Sequence, residues 1–109
     1  MNTLTIIVPC FNEADVLVDF ISTVNLQTHE LPLIKKYLLI NDGSTDDTLD
    51  IMKNLSETFD NIFYLSFSRN FGKEAAILAG LEASDSDFVT IMDADLQDPP
   101  ELLPEMLAL

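Results

Sequence analysis

Apolar residues fall along the chain in short runs and in stretches of helical spacing, and the two patterns alternate. Residues 4–9 (LTIIVP) form an apolar, β-branched run that predicts a strand. Val16, Leu17, Phe20, Ile21 and Val24 then recur on one helical face, with Asn12 placed to cap that helix. A polar loop holding His29 and Pro32 leads to a second strand at 37–40 (YLLI), closed by Asn41-Asp42-Gly43. Ser44 or Thr45 can cap the next helix, which turns Ile51, Met52, Leu55 and Phe59 inward. A third strand spans 62–67, and a third helix at about 73–83 buries Ile77, Leu78 and Leu81. The fourth strand, at 88–92 (FVTIM), is rich in strand formers, as expected of a strand covered on both faces. Beyond it, Asp98-Pro99-Pro100-Glu101 has the form of a helix start: Asp as cap, Pro at the first helical position, Glu three residues after the cap.

Strand–helix units repeated at this spacing predict an α/β fold: a parallel sheet with helices on both faces and right-handed crossovers. Ligands of such sheets sit beyond the carboxyl ends of the strands. The polar residues collect there. Glu13, Asp42, Arg69 with Lys73, and Asp93 with Asp95 each follow a strand.

The chain has 109 residues, 48% hydrophobic and 22% charged, which suits one globular domain or part of one. Its charge is lopsided: 19 acidic against 5 basic residues, a formal net −14. That balance excludes nucleic-acid binding through phosphates, for want of cations to release counterions. It also predicts repulsion from an anionic membrane surface. Contact with phosphate groups must run through a metal, backbone N–H groups or the few basic residues. Cys10 is the lone cysteine, so no intrachain disulfide is expected and a reducing compartment fits. The N-terminus lacks a signal-peptide pattern, and no apolar run approaches the ~20 residues of a membrane span. The chain is therefore expected in the cytoplasm.

The acidic knot after the fourth strand carries the clearest chemistry. Residues two apart in extended backbone point the same way, so Asp93 and Asp95 face one spot. Two carboxylates roughly 4 Å apart repel by about 4 kcal/mol at an effective dielectric near 20. A divalent cation turns that repulsion into a site, and hard oxygen ligands suit Mg²⁺ or Mn²⁺. Alone, such a DxD is equally a solvated acidic turn. In VPCFNE (8–13), Pro9 frees the chain from the ladder, Phe11 offers a stacking face and Glu13 can accept hydrogen bonds from a ribose; a capped helix start with Phe11 in the core explains the same residues. In NDGSTDDT (41–48), Asp42 can accept from an N–H donor and Gly43 permits the turn, while Asp46 and Asp47 suit the first turn of a helix. SRNFGKEAAILAG (68–80) holds two of the five basic residues, Arg69 and Lys73, where anions are expected. Neither GxGxxG nor GxxxxGK[ST] occurs, and His29 has no ligand or triad partner at useful spacing.

Taken in order, VPCFNE, NDGSTDDT, SRNFGKEAAILAGL and MDADLQDPPE resemble the family 2 inverting glycosyltransferases. The wording RNFGKE and DADLQDPPE is similar to the polyprenyl-phosphate branch, that of dolichol-phosphate mannose synthase and bacterial undecaprenyl-phosphate sugar transferases. The resemblance implies a Rossmann-like, three-layer GT-A nucleotide-sugar-binding fold, here cut to about its first four β-α units. It implies that Pro9, Phe11 and Glu13 line base and ribose, and that Asp42 accepts from the base. It places Asp93, Ala94 and Asp95 on ribose and diphosphate, with Asp93, Asp95 and Gln97 at the metal, and Arg69 and Lys73 near base or diphosphate. Members of the family have a GT-A domain roughly twice this size, in keeping with single α/β domains that exceed 200 residues. Residues 1–109 therefore correspond to an N-terminal donor-binding half, with the catalytic base, the acceptor-binding strands and any membrane helices beyond it.

The implied reaction moves a sugar from a nucleoside diphosphate, UDP ahead of GDP, to a polyprenyl phosphate with inversion, at the cytoplasmic face of the membrane. A polysaccharide or other glycan is the alternative acceptor. A receiver-type signalling domain, also a βα repeat with an acidic Mg²⁺ pocket, would carry its acidic pair after the first strand, where CFNE stands. A sugar-nucleotide pyrophosphorylase needs a Gly-rich loop there, and an interaction module needs no nucleotide site. With the strand order 3-2-1-4 of related GT-A folds, the fourth strand of this 109-residue chain becomes an exposed edge, and self-association through it and the apolar tail (102–109) is expected, that fragment being inactive.

Overall fold

A computed structural model describes residues 2–95. It contains the elements β1 (Asn2–Cys10), α1 (Leu17–Thr28), β2 (Leu33–Asn41), α2 (Thr48–Thr58), β3 (Ile62–Ser66), α3 (Lys73–Ala83) and β4 (Phe88–Ile91). The strands form one sheet in the order β3-β2-β1-β4, and every neighbouring pair is parallel. All four carboxyl ends therefore open on the same edge.

Side chains alternate between the faces of the sheet, and two clusters follow from that alternation. On one face Leu4, Ile6, Val8 and Cys10 of β1 pack with Tyr37 and Leu39 of β2, Leu17, Phe20, Ile21 and Val24 of α1, and Met52 and Leu55 of α2. On the other, Ile7, Leu38 and Ile40 meet Ala76 of α3. The chain is thus three layers, helices on both faces of a parallel sheet. Tyr37 is fully buried on the larger side, where its hydroxyl donates to Asn25 Oδ1 at 2.6 Å, and burial pushes its pKa up.

Several expectations need correction. β2 starts at Leu33, because all nine of its residues pair with β1. Lys35 and Lys36 hide that extension in the sequence; Lys35 sits half-buried, its ammonium donating to Thr28 Oγ1 at 2.6 Å. Asn12 does not cap α1. That helix begins after Val16 with no side-chain cap, its first amides bonding Glu13 O instead. Neither Ser44 nor Thr45 caps α2, which follows Asp47. Phe59 is exposed, since α2 ends at Thr58 and residue 59 is already extended.

The third helix turns a different face inward from the one predicted. Ala76 and Gly80 are buried, whereas Ile77 is half-buried and Leu78 and Leu81 are 57% and 46% exposed. Close approach explains this: a Cβ on Gly80 would lie 2.6 Å from Ile7 Cγ2, so only a small residue lets α3 reach the sheet there. Among the described residues β4 is an edge strand and not covered on both faces, with Phe88, Val89 and Ile91 all exposed. The predicted helix start at 98–101, Gln97 and the tail lie outside the described residues. No helix among the described residues is long and apolar enough to cross a membrane.

Candidate donor-binding site

Three loops meet where the strands end. After β1 the chain turns sharply at Asn12, whose φ of +55° is the left-handed conformation Asn tolerates better than most residues. Its side-chain Oδ1 accepts from Thr45 N (2.8 Å), from Thr45 Oγ1 and from Asp46 N. Its own amide donates to Ser44 Oγ. Glu13 N donates to Thr48 Oγ1, and Ala14 N to Asp46 Oδ2. The β1 and β2 loops are stitched by polar bonds spanning more than thirty residues of sequence. Burial nudges the Asp46 carboxyl upward, but hydrogen bonds from the Thr48 hydroxyl and from the Thr48 and Ala14 amides hold it below the usual range.

The third loop is anchored by Asp42. This carboxylate is 4% exposed, and its two oxygens accept from Phe71 N at 2.7 Å and Gly72 N at 3.0 Å. In that loop the Arg69 guanidinium lies 4.7 Å from the Phe71 ring centre, and Phe71 meets Phe67 edge-on. Gly72, with φ +103°, leads directly into α3, whose first residue is Lys73. Lys73 Nζ reaches Asp93 Oδ1 at 2.7 Å, just past β4.

These pieces enclose an open cleft of about 250 Å³ lined by Pro9, Cys10, Phe11, Glu13, Asp42, Lys73, Asp93 and Asp95. Seven of the residues singled out in the sequence thus share one hollow. Ala94 does not line it: its side chain is buried in the larger core cluster, so only its backbone can face a ligand. Arg69 stands aside over Phe71, and Gln97 lies outside the described residues. Cys10 joins those seven at the cleft. A strand-end cysteine carries no sequence signal of this, although its position between Pro9 and Phe11 places it at the same edge. Its thiol is pushed up by burial and then by the charges of Glu13 and Asp93.

The cleft is electrostatically uneven. Glu13 is raised by burial first, then by Asp95, Asp93 and Asp46. The Lys73 ammonium is a cation already seated on Asp93. Among the described residues no group of three or more acidic, His or Cys side chains forms a ready metal cage. A pair of carboxylates is nevertheless the donor set Mg²⁺-like ions use when substrate phosphates complete the shell.

The sequence matches the family model for glycosyl transferase family 2 over residues 5–109. The chain belongs to that family. Among its curated relatives, a bactoprenol glucosyl transferase of Shigella phage SfV is 39% identical over 104 residues, covering 95% of this chain and 34% of that protein. The undecaprenyl-phosphate 4-deoxy-4-formamido-L-arabinose transferase of Pseudomonas syringae pv. syringae (strain B728a) is 36% identical over 107 residues, 97% of this chain and 32% of that one. This family 2 chain thus spans about a third of the length of those relatives. Among solved structures, the mannosyltransferase PcManGT of Pyrobaculum calidifontis, in complex with GDP-Man and Mn²⁺, superposes with a TM-score of 0.76 at 24% identity, over 93% of this chain and 30% of that one. The family 2 sheet and its alternating helices are the opening units of a GT-A fold.

Proposed function

We propose that this chain is the donor-binding part of a glycosyltransferase that moves a sugar from a nucleoside diphosphate to a polyprenyl phosphate, with inversion and with help from a divalent cation. The convergence of Glu13, Asp93, Asp95 and Lys73 on one cleft at the carboxyl edge of the sheet carries this reading. The acceptor class follows relatives named for bactoprenol and undecaprenyl phosphate. UDP is preferred to GDP because the resemblance lies with the undecaprenyl branch.

In this reading Pro9, Phe11 and Glu13 line base and ribose, with Phe11, 45% exposed, free to stack. Asp42 borders the base side, and Arg69 stands behind it on the third loop. Asp93 and Asp95 hold Mg²⁺ or Mn²⁺, and when bound that ion neutralises the departing diphosphate. Gln97 is assigned beside them on the resemblance alone. Lys73, whose ammonium bonds Asp93, would offer its charge to the diphosphate beside that carboxylate. A phosphate acceptor is already ionised near neutral pH, so these residues chiefly orient the donor and absorb charge. We place the acceptor site and any general base outside these 109 residues, in a protein working at the cytoplasmic face of a membrane.

Calorimetric titration of UDP, GDP and their sugars, with and without Mn²⁺, tests the proposal. Binding that requires Mn²⁺ is expected. Absence of nucleotide binding under both conditions would overturn it.

A further inference from the structure

Asp42 has a second feature beside the donor cleft. It follows β2, and its own amide donates to Cys10 O at 2.9 Å, so its backbone is fixed by the sheet. Its carboxylate takes the Phe71 and Gly72 amides, one on each oxygen. Those N–H groups stand at the mouth of α3, where Gly72 offers no side-chain cap. A carboxylate at a helix N-terminus is favoured by both the unpaired amides and the dipole. The two residues just ahead of α3 are therefore tied to another loop, 30 residues back from Gly72 in the chain.

Gly43 makes that arrangement sterically possible. A Cβ there would lie 2.2 Å from Arg69 C and 2.3 Å from Asn70 N, and its φ is +70°. The 69–70 backbone runs directly over the α-carbon of Gly43. The residue after the cap, Lys73, is the one that reaches Asp93.

We infer that Asp42, with Gly43, is a positioning residue: it docks segment 69–72 and so sets Lys73 against Asp93 and the donor's diphosphate. This rests on the donor-site reading above. It goes beyond a direct base contact, because each carboxylate oxygen also holds a backbone amide of the third loop. Loss of Asp42 then weakens the diphosphate end of the site, although Asp42 borders the base.

The test uses the full-length protein with UDP, GDP and inorganic pyrophosphate, each in Mn²⁺. Asp42→Asn should lower affinity for nucleotide and pyrophosphate by the same factor, about tenfold or more, the scale of a lost charge-assisted hydrogen bond. Gly43→Ala should reproduce the pattern. Lys73→Met should weaken nucleotide and pyrophosphate binding by a like factor, and adding Asp42→Asn to it should cost less than about twofold more, since residues acting through one another are not additive. In the free protein, hydrogen exchange at Phe71 and Gly72 should accelerate about tenfold or more in Asp42→Asn while β2 keeps its protection, which separates loop release from misfolding. A loss confined to nucleotide, full additivity with Lys73→Met, or unchanged exchange at Phe71 and Gly72 would overturn the inference. If the parent binds neither nucleotide nor pyrophosphate, the donor-site reading fails, and the exchange experiment still decides whether Asp42 holds the loop.

Discussion

Glu13 sits among acids: Asp95, Asp93 and Asp46 all raise its pKa, after burial has raised it most. A carboxyl raised in the folded state holds its proton more tightly there than in the unfolded chain. Stability therefore falls as pH rises from the ordinary glutamate range through the raised value, and the penalty is complete above it. Glu13→Gln removes that penalty. The variant should melt at a higher temperature than the parent at pH 8, with the difference shrinking toward pH 5. Because the group is largely solvated, the gain should stay below about 1 kcal/mol, the scale of exposed charge pairs. A variant less stable than the parent at pH 8 would contradict this account. At this scale much of the site was legible: strand-end acids and bases are visible in one dimension because a parallel sheet brings them together. Their internal partners were not. Asn12 has the local appearance of a helix cap, yet its partners are Thr45 and Asp46, 33 and 34 residues away.

Among elements, α3 shows where helical spacing misleads. Its bounds follow from the sequence, but the large residues Leu78 and Leu81 face out while Ala76 and Gly80 face the sheet. Hydrophobic periodicity weights big side chains, whereas close packing here selects small ones. Gly80→Ala tests that contact. The helix-propensity gain of about 1 kcal/mol is opposed by an overpacking cost of about 1–3 kcal/mol against the buried, β-branched Ile7. A net loss of up to about 2 kcal/mol is expected in urea unfolding. A stabilised variant would mean that α3 has room to spare. β2 carries the opposite lesson: two lysines broke its apolar pattern, but pairing with β1 along nine residues keeps it extended. Tertiary pairing overrides local pattern in such a strand.

Among the described residues the sheet has one edge at β4, where Phe88, Val89 and Ile91 are exposed and the strand contains no Pro or Lys. Edges of that kind pair with other chains. The 109-residue chain should therefore form dimers or larger species at micromolar concentration. Its net charge of −14 opposes this, but at ordinary salt charges beyond about 8–10 Å are screened. Sedimentation showing a clean monomer, with β4 amides protected from exchange, would sink that expectation.

Titration of UDP into Asp95→Asn and its parent in Mn²⁺ decides whether the carboxyl-edge cleft binds nucleotide through a cation held by Asp93 and Asp95. The variant should lose affinity by more than about tenfold, since removing even an outer partner of a bound metal costs about 10–100-fold. It should keep its fold. Equal affinity of variant and parent in Mn²⁺ would contradict the claim.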